Sequence, residues 1–140
     1  MRKNKKPSGP NFLSFLEKGI GLLVDKLFSK SSFAAFPHGE MTQKWQEIEE
    51  MDPKMAVIEA DKLVDNVLRR AGLQGASMAD RIRKTEKLVS RNVYQSMWDA
   101  HKIRNGLVHE VDHYVDEFSS RTAVLKMRNY LEALGVFKND

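Results

Sequence analysis

The chain reads as an all-α protein: a compact bundle of four to five helices preceded by a separate amphipathic N-terminal helix. Three observations lead there. Apolar residues recur at spacings of three and four through most of the 140 residues, the period of a helix with one buried face. Helix start and stop signals punctuate those segments: Asp52 followed by Pro53, Ser77 with Asp80 three residues on, and Gly72 and Gly135 at helix ends. No convincing strand pattern of alternating apolar and polar residues is found, and no internal repeat.

Taken in order, residues 1–11 carry Arg2, Lys3, Lys5 and Lys6 beside Pro7 and Pro10, a combination that favours a disordered basic tail. Over 12–30, Phe12, Leu13, Leu16, Ile20, Leu23, Val24 and Leu27 share one helical face, with Ser14, Glu17, Lys18 and Asp25 opposite. That stretch is too short and too charged to cross a bilayer, which takes about 20 mainly apolar residues. It is also interrupted by charge where a secretory signal is apolar. Basic residues ahead of such a helix suit contact with an anionic membrane, and its apolar stripe equally suits docking on protein. Residues 31–40, rich in Ser, Pro and Gly, read as a linker, and the helical domain proper as 41–140.

Within that domain, Trp45 and Ile48 mark a short helix from Met41 to Glu50. Asp52 and Pro53 open a long helix that buries Ala60, Leu63, Val64, Val67, Leu68 and Ala71 and stops at Gly72. Ser77 and Asp80 form a capping box for a helix to about Leu88. Asn92 caps the next, which runs through Trp98 and Ile103. After a break near 113–118, Ser119 or Ser120 starts a last helix through Val124, Met127 and Leu131. Trp45 and Trp98 are candidates for the core or a dimer interface.

Composition narrows the chemistry. There is no cysteine, hence no disulfide framework, thiolate metal site or thiol nucleophile, and nothing that calls for an oxidising compartment. Residues 1–30 hold seven Lys/Arg against two acidic residues, a charge of +5; the other 110 hold 16 against 17, or −1. The basicity belongs to the N-terminal segment, and the domain lacks the bulk positive charge of many nucleic-acid binders. Neither a phosphate-cradling glycine loop nor a serine nucleophile elbow occurs, and no cofactor is expected. The cytoplasm is the expected compartment, with residues 1–30 as the segment able to reach the inner face of its membrane.

The residues that carry chemistry lie between His101 and His113. Val93, Met97, Val108 and Val111 fall on one side of the penultimate helix, with Arg104 in the middle of that stripe. A guanidinium placed there needs a carboxylate or a cleft, because an unpaired buried charge costs several kcal/mol, about 3–5 when one partner of a pair is removed. Asp61 and Asp65, on the preceding long helix, are candidate partners. Arg104, Asn105 and His109, near the end of the penultimate helix of an all-helical domain, resemble the motif of HEPN domains: Arg, a polar residue, and His after four to six positions. The resemblance spans 41–137 and rests on those three residues.

The resemblance implies metal-independent RNA cleavage in a homodimer whose two copies border one cleft. His109 would move the proton of the ribose 2′-hydroxyl, Arg104 would neutralise charge developing on the phosphate, and Asn105 would orient His109 or the substrate. The same fold also serves as a noncatalytic dimeric scaffold that binds RNA or a protein partner, with Arg104 in a structural ion pair. His109, Glu110 and His113 additionally fit the zinc-hydrolase pattern H-E-x-x-H, with the two histidines as ligands, Glu110 as base and Glu132 as a conceivable distant ligand. Asp112 stands where that pattern has an uncharged residue. His38 and His101 read as structural or exposed.

Overall fold

The computed structural model describes residues 31–109 and 114–137. The basic tail and the amphipathic helix expected over 12–30 lie outside the described residues. So do Glu110, Val111, Asp112 and His113. The described residues form helices α1 (Ser31–Ala34), α2 (His38–Glu49), α3 (Pro53–Arg70), α4 (Met78–Arg83), α5 (Arg91–His109) and α6 (Glu117–Leu134), with no strand among them. No described helix is long and apolar enough to cross a membrane.

Three long helices make the centre of the bundle. α6 packs along α5 and α3, and α2 and α4 brace α3 from outside. α3 begins where the sequence places it, the Asp52 carboxylate accepting the amide of Lys54 at 3.2 Å with Pro53 in the first turn. It contributes Ala56, Val57, Ala60, Val64, Val67 and Leu68 to the core, with Leu63 and Ala71 at its margin. Its end is a Schellman turn. Gly72 takes φ +95°, its amide donates to Arg69, and the Leu73 amide donates back to Leu68. α6 ends the same way at Gly135 (φ +95°), with the Val136 amide on Leu131. Leu73 and Val136 are both buried, so each turn folds an apolar side chain back over the last helical turn.

Four boundaries differ from the sequence reading, each for a physical reason. The stretch 31–40, expected as a linker, holds α1 and the start of α2, with Phe33 and Phe36 buried in the core. Burying two aromatic rings outweighs the turn preference of the Ser, Pro and Gly around them. His38 is tied down as well, its Nδ1 lying 2.9 Å from the Val136 carbonyl, while Trp45 meets Phe137 edge to face. α4 stops at Arg83, short of Leu88, because Thr85 turns inward: its hydroxyl donates to the Ile82 carbonyl and lies 2.6 Å from the Tyr130 hydroxyl. α5 starts at Arg91, with Ser90 and not Asn92 receiving the first free amide, from Val93. α6 starts at Glu117, capped by Asp116, which takes the amide and hydroxyl of Ser119. Those hydrogen bonds, the amide first, hold the Asp116 carboxyl below its usual range.

Candidate functional site

The site is built around one carboxylate. Asp61 stands on the inward face of α3 between Val57 and Val64 and is 2% exposed. α5 crosses above it and supplies two partners one turn apart. His101 Nδ1 lies 2.9 Å from Asp61 Oδ1, and Arg104 Nε lies 3.2 Å from Asp61 Oδ2. The carboxylate makes a directed hydrogen bond with the imidazole. Its contact with Arg104 lacks hydrogen-bonding geometry at Nε, so charge holds the guanidinium there. Arg104 Nη1 donates to the Asn105 side-chain oxygen at 3.1 Å. Of the two candidate partners for Arg104, Asp61 is therefore the one it meets, and Asp65 is engaged elsewhere.

The cluster is buried unevenly. The Asp61 side chain is 3% exposed, His101 10% and Arg104 25%, so exposure rises from α3 toward the surface of α5. A cavity of about 350 Å³ opens beside it, lined by Ala79, Trp98, Asp99, His101, Lys102 and Asn105. Trp98 stands edge-on to His101 with ring centroids 6.2 Å apart, and the Arg83 guanidinium covers its face at 5.6 Å. With Nδ1 committed to Asp61, the His101 Nε2 has no hydrogen-bond partner among the described residues and is not sealed from solvent. The ring thus lines the cavity while its second nitrogen stays uncommitted.

His109 is the last residue of α5 and is exposed. Because the helix runs unbroken to that point, Arg104 and His109 diverge by about 140° around its axis. One chain brings Arg104 and Asn105 together and leaves His109 apart from them. Val108, expected on the buried stripe with Met97, is 45% exposed, since the last turn of α5 extends beyond the core. Trp45 is buried as expected, while Trp98 is only partly covered. Of the residues of the zinc pattern, only His109 is described. Glu132 is held by Arg128 at 3.1 Å, and no group of three or more His, Cys, Asp or Glu side chains spaced to hold a metal occurs among the described residues.

His101 is the site residue that sequence reasoning passed over. The signal was present on two helices at once. Asp61 interrupts the apolar stripe of α3 as Arg104 interrupts that of α5, and His101 precedes Arg104 by three residues, so all three face the same contact. Comparison of the chain with protein-family models, curated proteins and solved structures returns no match.

Proposed function

We propose that the protein is a HEPN-like module that works on RNA as a homodimer, with Arg104 as the phosphate contact, Asn105 as its neighbouring polar group and His109 as the group that takes the 2′-hydroxyl proton. The observation that supports it is the partial exposure of Arg104: a carboxylate anchors its Nε while a quarter of the side chain remains open beside Asn105. An arginine held in this way can still meet an anion with its outer edge. The 140° between Arg104 and His109 within one helix is bridged in this reading by a second copy, which brings its own His109 to the cleft. Cleavage then needs no metal, and its 5′ product ends in a 2′,3′-cyclic phosphate.

The test is incubation of the purified chain with single-stranded RNA in EDTA. RNA should be cut and DNA spared, because DNA lacks the nucleophilic 2′-hydroxyl. His109→Ala should reduce the rate about 10²–10⁴-fold. A dimer that binds RNA or a protein and cuts nothing would instead be a scaffold, a reading favoured by the burial of Asp61 beneath its two partners. In both readings we place the chain in the cytoplasm, its basic segment 1–30 contacting anionic lipid, for which flotation with anionic against neutral vesicles is the measurement.

A further inference from the structure

The reaction proposed above moves two protons, and the HEPN-type motif accounts for one. When the 2′-oxygen bonds to phosphorus, its proton passes to His109. As the P–O5′ bond breaks, the departing 5′-oxygen must gain a proton from another donor. Arg104 does not surrender one, being charged throughout the accessible pH range, and an amide such as Asn105 is no acid.

We propose that His101 is that donor, a second catalytic histidine, with Asp61 as its positioning residue. The assignment rests on the RNA-cleaving reading and on four observations. The Asp61 carboxylate, nine-tenths and more buried, takes Nδ1–H of His101 at 2.9 Å, which fixes the ring and leaves Nε2 as the working nitrogen. That nitrogen has no partner among the described residues, and His101 lines a cavity of about 350 Å³. Asn105, which accepts a hydrogen bond from Arg104, lines the same cavity as His101, so the polar neighbour of the proposed phosphate contact and the second histidine share one space. Finally, His101 lies three residues before Arg104, about 4.5 Å along the axis and 60° around it, whereas His101 and His109 are eight residues and about 12 Å apart. The two histidines of one chain are too distant to serve one phosphate, and His109 of a second copy completes the pair. In the step, the 2′-oxygen forms its bond to phosphorus and yields its proton to His109. The P–O5′ bond breaks, and the electron pair left on the 5′-oxygen takes the Nε2 proton of His101. After the products leave, His109 yields its proton to water and His101 takes one from water, which restores the starting state.

An RNA whose scissile 5′-oxygen is replaced by sulfur tests this directly, because a thiolate leaves without being protonated. Wild-type protein should cut both substrates. His101→Ala should slow cleavage of ordinary RNA by about 10²-fold, in the range of one general acid, and cut the sulfur substrate within about threefold of wild type. His109→Ala should be slow on both. His101→Gln, which can keep a hydrogen bond to Asp61, guards against misfolding and should show the same rescue, with circular dichroism matching wild type. His101 variants equally slow on both substrates, or as fast as wild type on ordinary RNA, would overturn the assignment and leave the RNA-cleaving reading standing. A wild-type protein that cuts neither substrate would overturn that reading and the assignment with it.

Discussion

α3 carries two carboxylates one turn apart, Asp61 buried and Asp65 half-buried, and the molecule treats them in different ways. Asp65 accepts Arg81 Nε at 2.7 Å and forms an ion pair with Arg69 Nε at 3.0 Å, and Arg81 also donates to the Gly75 carbonyl at 2.8 Å. The Arg81 side chain is 6% exposed and pins the loop between α3 and α4, while Asp65 at 20% and Arg69 at 62% reach solvent. Asp61 likewise holds two basic side chains, of which His101 lines a cavity and Arg104 is 25% exposed. A buried ion pair contributes little net stability over an apolar replacement, although breaking one is costly. The tie to the loop accounts for Asp65 as architecture, and the proposed function makes Asp61, buried beneath a histidine and an arginine that reach the surface, the working end of α3.

The largest stability effects should come from cutting either network at its carboxylate. Asp61→Ala leaves His101 and Arg104 without their partner and should destabilise the domain by about 3–5 kcal/mol, read as a drop in melting temperature. Asp65→Ala should fall in the same range, since it frees a nearly buried Arg81. The comparison predicts similar melting losses and dissimilar losses of activity. A smaller effect is expected at the loop that Arg81 pins. A Cβ at Gly75 would stand 2.8 Å from the Asp80 Cβ and 3.3 Å from the Ser77 carbonyl. Gly75→Ala should therefore cost about 1–3 kcal/mol through overpacking, with RNA cleavage unchanged when assayed well below the melting point.

Much of the fold was legible because helix ends and apolar stripes are local signals. Asp52 with Pro53, Ser77 with Asp80, Gly72 and Gly135 each acts through neighbours within a few residues, and each appears where expected. Two of the misjudged boundaries depend on distant partners, while the starts of α5 and α6 turn on which neighbouring side chain, Ser90 or Asp116, does the capping. Phe33 and Phe36 are core residues only because the rest of the bundle meets them, and α4 ends early because Thr85 finds Tyr130 45 positions away. The site follows the same rule. The need of Arg104 for a carboxylate on the long helix could be read from its place in an apolar stripe. That Asp61 and not Asp65 answers it, and that His101 shares Asp61, depends on the crossing of α5 over α3, which the spacings along each helix narrow but do not fix.

The smallest effect concerns that distant contact. Tyr130→Phe removes the partner of the Thr85 hydroxyl, which keeps its bond to the Ile82 carbonyl, and should cost about 1 kcal/mol at neutral pH. Burial pushes the Tyr130 hydroxyl above its ordinary value. Its contribution is then fully present below the unfolded tyrosine value of about 10 and is lost as pH rises beyond it. Wild type should lose stability above about pH 10 more steeply than Tyr130→Phe, as followed by denaturant titration across that range.

The difference between the two carboxylates is tested most directly by comparing Asp61→Asn with Asp65→Asn, both matched in shape and assayed for RNA cleavage in EDTA at a temperature where each is folded. Asp61→Asn should lower the rate by about 10²-fold and displace the alkaline limb of the pH–rate profile, because the hydrogen-bond partner of the His101 ring has changed. Asp65→Asn should stay within about twofold of wild type with that limb in place. Equal loss in both variants, or full activity with an unmoved profile in Asp61→Asn, would contradict the assignment of Asp61 to the working end of α3.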